Sequence, residues 1–312
     1  MVILLSVLAA VVFGAASVFV RISTRDLNAS KVAVISLLAG LALFAPITLG
    51  FQWSELSGLG LRTFGWLAFI GALQFAAGRQ LNYTGVQLAG VSRATPFFGT
   101  VPVFASILAV TLTDERVGAA LGVGIGAVVA GSLLVARVGA SAAAPRAPGR
   151  GAAPGAALGL ASATARRRVL LGMGAALLAS ACYGSIQFLG RQVVGDVPPL
   201  TAMTVGLAAG TVATLLVGAP LGLTKRQEAP ASAYGMAVLA GVASAAGVLC
   251  LFLALERGAV VKVSPVVALN PLVSVVLGQV FIRHLERLSW LLVVGIVVMV
   301  GGVVVVTLSA GG

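Results

Sequence analysis

Ten apolar runs take up most of this chain, and their length leaves few structures open to it. They are Val2 to Val20, Val32 to Phe51, Phe64 to Tyr83, Ala94 to Leu112 and Val117 to Ala136, then Leu170 to Leu189, Leu200 to Leu221, Tyr234 to Leu255, Val263 to Ile282 and Leu288 to Leu308. A helix needs about 20 predominantly apolar residues to cross a hydrocarbon core. Strands of an outer-membrane barrel would be about 10 residues long and would alternate in polarity, and these runs are twice that length and apolar throughout. The expected class is an all-α polytopic membrane protein with ten transmembrane helices. Only 9% of the residues are charged, against about 25% in soluble domains, so the remaining chain is read as short loops with no soluble domain. No positive charge precedes the first run, Met1-Val2-Ile3-Leu4-Leu5 being apolar, and it is therefore expected to remain as a span and not to be cleaved as a signal. Cys182 and Cys250 both fall inside apolar runs and suggest no disulfide framework.

The runs repeat. Phe13-Gly14, Arg21 and Asp26 return 170 positions later as Tyr183-Gly184, Arg191 and Asp196. Arg93, Pro96 and Pro102 return 169 later as Lys262, Pro265 and Pro271; Glu115-Arg116, Gly124 and Gly131 return 171 later as Glu286-Arg287, Gly295 and Gly302. Between the copies, Arg137 to Arg168 is mostly Ala, Gly, Pro and Arg, the composition of a flexible linker. The chain thus divides into a first five-helix repeat (1–136), a linker (137–168) and a second five-helix repeat (169–312). Five spans is an odd number, so the second repeat enters the membrane from the opposite side. Two inverted bundles with a site between them, near the bilayer midplane, is the arrangement of secondary transporters that work by alternating access.

These motifs resemble those of the EamA-type family of the drug/metabolite transporter superfamily. The resemblance rests on two five-helix repeats, each opening with an aromatic-Gly pair and a basic residue seven positions later. Each repeat also has a Pro inside its fourth helix and Glu-Arg before a Gly-spaced fifth. Ala254-Leu255-Glu256-Arg257-Gly258-Ala259, running to Asn270-Pro271, is the strongest segment of the match. One departure is visible: that family usually opens with Trp-Gly and Lys, where this chain has Phe13 or Tyr183 and Arg21 or Arg191. The resemblance implies transport of a small metabolite, with export the favoured direction, and no enzymatic activity.

The net charge of +12 would raise nucleic acid as a partner, but the charges lie between apolar runs and form no basic face. They read instead as a topological record, since cytoplasmic loops collect Lys and Arg. One side of the membrane holds fifteen of these residues, six of them in the linker, and the other holds Arg62, Arg116, Arg191, Arg257 and Lys262. The bias places both termini outside and the linker in the cytoplasm, whereas family members more often have cytoplasmic termini.

Enzymatic chemistry lacks its residues. His284 is the one histidine, Asp26, Asp114 and Asp196 lie in loops, and no Gly-Lys-Ser phosphate loop exists. No cofactor or metal is expected. The sharpest candidate is Arg79, because an arginine deep in a span costs about 2.5–3.5 kcal/mol on insertion scales and marks a function by default. Arg79, Asn82 and Tyr83 share a helical face able to hold a carboxylate or phosphate, although a side chain snorkelling to the headgroups would use the same residue. Ser180, Tyr183 and Gln187 form a second polar stripe. Thr95, Pro102 and Ser106 form a third, and Asn270 and Ser274 form another beside Pro271. Pro102 and Pro271 are expected to kink the fourth and ninth spans and to act as gating points, each freeing a carbonyl. No Asp or Glu lies mid-span, so an anionic or zwitterionic substrate fits better than a lipophilic cation.

The expected protein is a secondary transporter of the cell membrane moving an amino acid, organic acid or sugar derivative. Its partners are then that small molecule and the lipid bilayer, with proton coupling or substrate counter-transport, no nucleic acid, and a monomeric or homodimeric state. The alternatives are a flippase or exporter of a lipid-linked or phosphorylated compound, and a membrane anchor subunit that transports nothing.

Overall fold

The computed structural model describes residues 1–89, 97–113, 118–142, 157–218, 228–281 and 290–308. Every element in them is a helix, as an apolar solvent demands, because only a helix or a closed barrel pairs its own backbone groups. In chain order they are α1 (Val2–Ser23), α2 (Ala29–Phe51), the short α3 (Trp53–Ser57), α4 (Leu61–Gly71), a π-helical turn (Ala72–Gly78) and α5 (Arg79–Ala89). There follow α6 (Val101–Leu112), α7 (Ala119–Ala142), α8 (Ala157–Val193), α9 (Pro199–Gly218), α10 (Ala231–Arg257), α11 (Val260–Val267), α12 (Asn270–Phe281) and α13 (Trp290–Leu308). Among the described residues, five helices are long and apolar enough to cross a membrane: Val2–Ser23, Ala29–Phe51, Arg167–Val193, Pro199–Val217 and Ala231–Arg257. Helix α7 runs past Ala136 to Ala142, and α8 starts at Ala157, so helix reaches into both ends of the stretch read as linker. Thr95 lies outside the described residues, as do Arg93, Pro96, Asp114, Glu115-Arg116, His284 and Glu286-Arg287.

The fourth and ninth apolar runs differ from expectation. Pro102 does not kink a continuous helix: Phe97-Phe98 are helical, Gly99-Thr100 form a turn, and α6 begins at Val101 with Pro102 in its first turn. In the second half α11 ends at Val267, Ala268-Leu269 form the turn, and α12 begins at Asn270 with Pro271 next. The helix is broken and restarted, and proline occupies the position where a missing N–H costs nothing. The freed ends are tied locally. Thr100 Oγ1 donates to the Phe97 carbonyl at 2.6 Å, and Asn270 Nδ2 donates to the Val267 carbonyl at 3.2 Å.

Packing between the two halves is reciprocal. Helix α1 lies along α10 and touches α12; its counterpart α8 lies along α5 and touches α6. Helix α2 packs on α10 as α9 packs on α4 and the π turn, while α7 pairs with its own counterpart α13. Close approaches confirm the exchange at the level of atoms. A Cβ built on Gly14 would meet Val273 Cβ at 2.6 Å and the Asn270 carbonyl at 2.9 Å, and one built on Gly184 would meet Phe104 Cβ and the Val101 carbonyl at the same two distances. Gly71 is pressed on the Gly206 carbonyl and Gly241 on the Ser36 carbonyl. Gly131 is seated on Gly295 and Met299, and Gly302 on Gly124 and Val128. Small residues at such crossings let helix backbones approach where lipid supplies no hydrophobic drive.

Candidate functional site

Arg79 opens α5 directly after the π turn, and it is buried to 7% exposure. Its Nη1 donates to Ser36 Oγ at 2.7 Å, and its guanidinium carbon stands 5.2 Å from the centroid of the Phe75 ring. Ser36 already gives its one proton to the Ala33 carbonyl at 2.8 Å, so the hydroxyl presents a lone pair to the cation. Both partners are neutral, and no carboxylate among the described residues pairs with Arg79. A guanidinium carries five donors, and a buried cation held this lightly is short of an anion. A ring contact of this kind contributes about 0.5–2 kcal/mol, well below what desolvating the charge costs.

The neighbouring helix supplies an aromatic hydroxyl. Asn82 Nδ2 donates to Tyr183 Oη at 3.4 Å, and the Tyr183 phenol lies within electrostatic reach of Arg79 and Tyr83. Packing sets this geometry, because a Cβ on Gly78 would meet Tyr183 Cε1 at 3.0 Å. Tyr83 itself is buried in a cluster with Val32 and Ala33 of α2 and Ala233 and Ala237 of α10. Arg79, Asn82 and Tyr83, which share a face by spacing, go to different neighbours: Arg79 and Tyr83 to α2, and Asn82 to α8.

One turn beyond Tyr183, Gln187 is buried with no partner for its Oε1. Ser106 Oγ on α6 and Ser264 Oγ on α11 are likewise buried and unpartnered, and α6, α8 and α11 pack on one another. An unmatched buried polar atom costs about 1–3 kcal/mol, which is reason to look for a polar ligand or water there. Ser180 is different, since its Oγ lies 2.6 Å from the Phe97 carbonyl and closes the end of the broken helix. Asn270 and Ser274 are also spent on structure: the first ties off α11 and the second donates across to the Gly14 carbonyl at 3.1 Å. Asn270 is thus placed at the packing of α12 on α1, not with Arg79.

Two members of the Arg79 site escape a reading of spacing. Phe75 lies four residues before Arg79, which is a usable signal, whereas Ser36 is one of two hydroxyls in the second apolar run, with Thr48, and nothing in the sequence distinguishes it. Arg191, the basic residue seven after Tyr183-Gly184, donates to the Glu256 carbonyl at 3.3 Å near the end of α10. Arg257 pairs with the Glu256 carboxylate at 2.6 Å. Among the described residues no cluster of His, Cys, Asp and Glu could hold a metal ion.

Residues 1–137 and 170–308 each match the EamA-like transporter family. Among solved structures 29 chains match. One of them, titled only as the crystal structure of a protein, superposes with a TM-score of 0.74, covering 98% of this chain and 96% of its own at 19% identity, a likeness of fold. No curated protein matches the chain.

Proposed function

The chain belongs to the EamA-like transporter family, and on that premise we propose a ten-span secondary transporter of the cell membrane, built as two inverted five-helix repeats that move a small anionic or zwitterionic metabolite by alternating access. The reciprocal contacts between the halves support the inverted arrangement, because each half is gripped by the other as it grips it. The observation that carries the substrate class is Arg79, a buried cation that among the described residues is held by a neutral hydroxyl and a ring. A carboxylate or phosphate would accept the remaining guanidinium donors in the geometry that suits them best, while the Tyr183 hydroxyl offers a neighbouring hydrogen bond. An amino acid, an organic acid and a phosphorylated or acidic sugar all carry such a group. Export is the direction taken here, on the family's habit.

A thermal-shift screen of the purified protein tests this reading. The probes are L-serine, succinate, glucose 6-phosphate and the quaternary cation tetraphenylphosphonium. At 100 times its dissociation constant a bound ligand adds about 2.7 kcal/mol of stability, so at least one anion-bearing probe is expected to raise the melting temperature, and Arg79→Ala is expected to abolish the rise. A shift produced by the cation alone, and unaltered in Arg79→Ala, would sink the reading.

Orientation is tested separately. The distribution of Lys and Arg places both termini outside, so a reporter fused after Gly312 that works only in the cytoplasm should stay silent. An active reporter would reverse the assignment.

A further inference from the structure

The contacts of each half measure the spacing of the other. Up to Phe75 the two halves are 170 residues apart: Gly71 meets Gly206 as Gly241 meets Ser36, and Phe75 Cβ sits against Gly210 as Ala245 Cβ sits against Gly40. From Gly78 onward they are 169 apart: Gly78 faces the Tyr183 ring as Gly247 faces the Phe13 ring, and Ala89 lies against Gly172 as Gly258 lies against Val2. Between the two anchors the first half holds Ala76 and Ala77 where the second holds Ala246 alone. One residue has been added without moving either flank, and it falls in Ala72–Gly78, the π-helical turn. The counterpart stretch of α10 is ordinary α-helix. A π turn is the form an α-helix takes when a single extra residue must be absorbed between fixed flanks, and such turns are frequent at functional sites.

The extra residue loosens the backbone beside Arg79. The Arg79 N–H donates to the Gln74 carbonyl, five residues back, so the Phe75 carbonyl loses its α-helical donor. Thr214 Oγ1 stands 3.5 Å from that carbonyl, but its proton is already well placed on the Gly210 carbonyl at 2.7 Å. The fold does not require this arrangement, since the second half reaches the same contacts without it.

We propose that the inserted residue, Ala76 or Ala77, positions Arg79 for transport and is not needed for folding: the π turn is the yielding point at which α5 shifts register by one residue. A shift of one residue turns a helix by about 100° and slides it about 1.5 Å. It would carry Arg79 from the place that Val248 fills in the other half, fully buried, to the half-buried place of Leu249, and so off Ser36. The proposal rests on the transport reading above for its purpose, but not for its test.

The test is hydrogen exchange by mass spectrometry on wild type and on a variant with Ala77 deleted. In wild type, amides of 76–80 should exchange at least about tenfold faster than those of 246–249, the signature of a segment that opens locally. Deletion of Ala77 should leave a folded protein with an unchanged or higher melting temperature and bring the two segments to one rate. In proteoliposomes the deletion should slow movement of whichever screen probe wild type carries by about tenfold or more, while its thermal shift with that probe persists, because a positioning residue acts on turnover and not on the site itself. A reciprocal variant, with one alanine inserted after Ala246, should also fold. Equal exchange in wild type, loss of the folded protein on deletion, or wild-type transport by the deletion variant would each overturn the proposal. Failure of wild type to carry any probe would count against the transport reading, and the exchange comparison would still decide whether the π turn yields.

Discussion

Replacing Arg79 with leucine is expected to yield a protein that is more stable than wild type and unable to hold an anion. Among the described residues the buried guanidinium has no carboxylate partner, and exchanging such a group for a well-packed apolar one is often neutral or stabilising by about 1–4 kcal/mol. The second half provides the precedent, because Val248 occupies the equivalent place and is buried in the core. Nothing is stranded by the change: Ser36 keeps its bond to the Ala33 carbonyl. Binding should suffer in proportion to the lost charge-assisted hydrogen bonds, at about 1.5–3 kcal/mol each, so two such bonds correspond to roughly a hundredfold or more in affinity. Arg79→Lys should recover only part of this, since an ammonium keeps the charge and loses the planar fork. Melting temperature and ligand titration, measured on the same samples, check both halves of the expectation. A leucine variant that melts earlier than wild type would mean that Arg79 is paired after all, and one that still binds the anion would place the site elsewhere.

The largest losses of stability should come from two glycines of the helix crossings. A methyl group on Gly71 would overlap the Gly206 carbonyl, and one on Gly241 would overlap the Ser36 carbonyl. In both cases the obstacle is backbone, which cannot swing aside. Gly71→Ala and Gly241→Ala should each cost about 3 kcal/mol, at the upper end of what overpacking usually costs. Gly235 meets nothing within 4 Å, so Gly235→Ala should be neutral or gain up to about 1 kcal/mol from helix propensity. The two costly changes should differ in function, because Gly241→Ala pushes on the residue that holds Arg79 and Gly71→Ala does not. Thermal unfolding in detergent ranks the three variants; equal melting of Gly71→Ala and Gly235→Ala would contradict the close approach of α4 and α9.

Length and hydropathy made the helices legible, while Gly124, Gly131, Gly295 and Gly302 showed in the sequence only as marks of the repeat, and their place at the crossing of α7 on α13 comes from the packing. Arg79 was legible because charge deep in an apolar run is costly, and Asn82 and Tyr183 because polar residues at helical spacing stand out against valine and alanine. Pro102 and Pro271 were misread in a definite way. Proline reads as a kink when the helix is assumed continuous; here Gly99-Thr100 and Ala268-Leu269 end one helix before the proline begins the next. The π turn left a trace in the sequence as well, the drift of the repeat from 170 to 169. That drift says a residue was added somewhere between the first and fourth runs. Only the paired contacts on either side of Ala76-Ala77 say where. Ser36 was invisible for a different reason, since its part depends wholly on what lies across from it.

A pair of identical halves facing one another would offer any ligand two poses of equal energy, related by the exchange of one half for the other. Arg79 with Val248 as its opposite removes that degeneracy. One charge-assisted hydrogen bond, at about 1.5–3 kcal/mol, favours one pose over its twin by a factor of roughly ten to a hundred and fifty. A duplicated chain has to break its own symmetry before it can tell the head of a molecule from its tail, and one guanidinium that received the substrate's anionic end would be enough to do so.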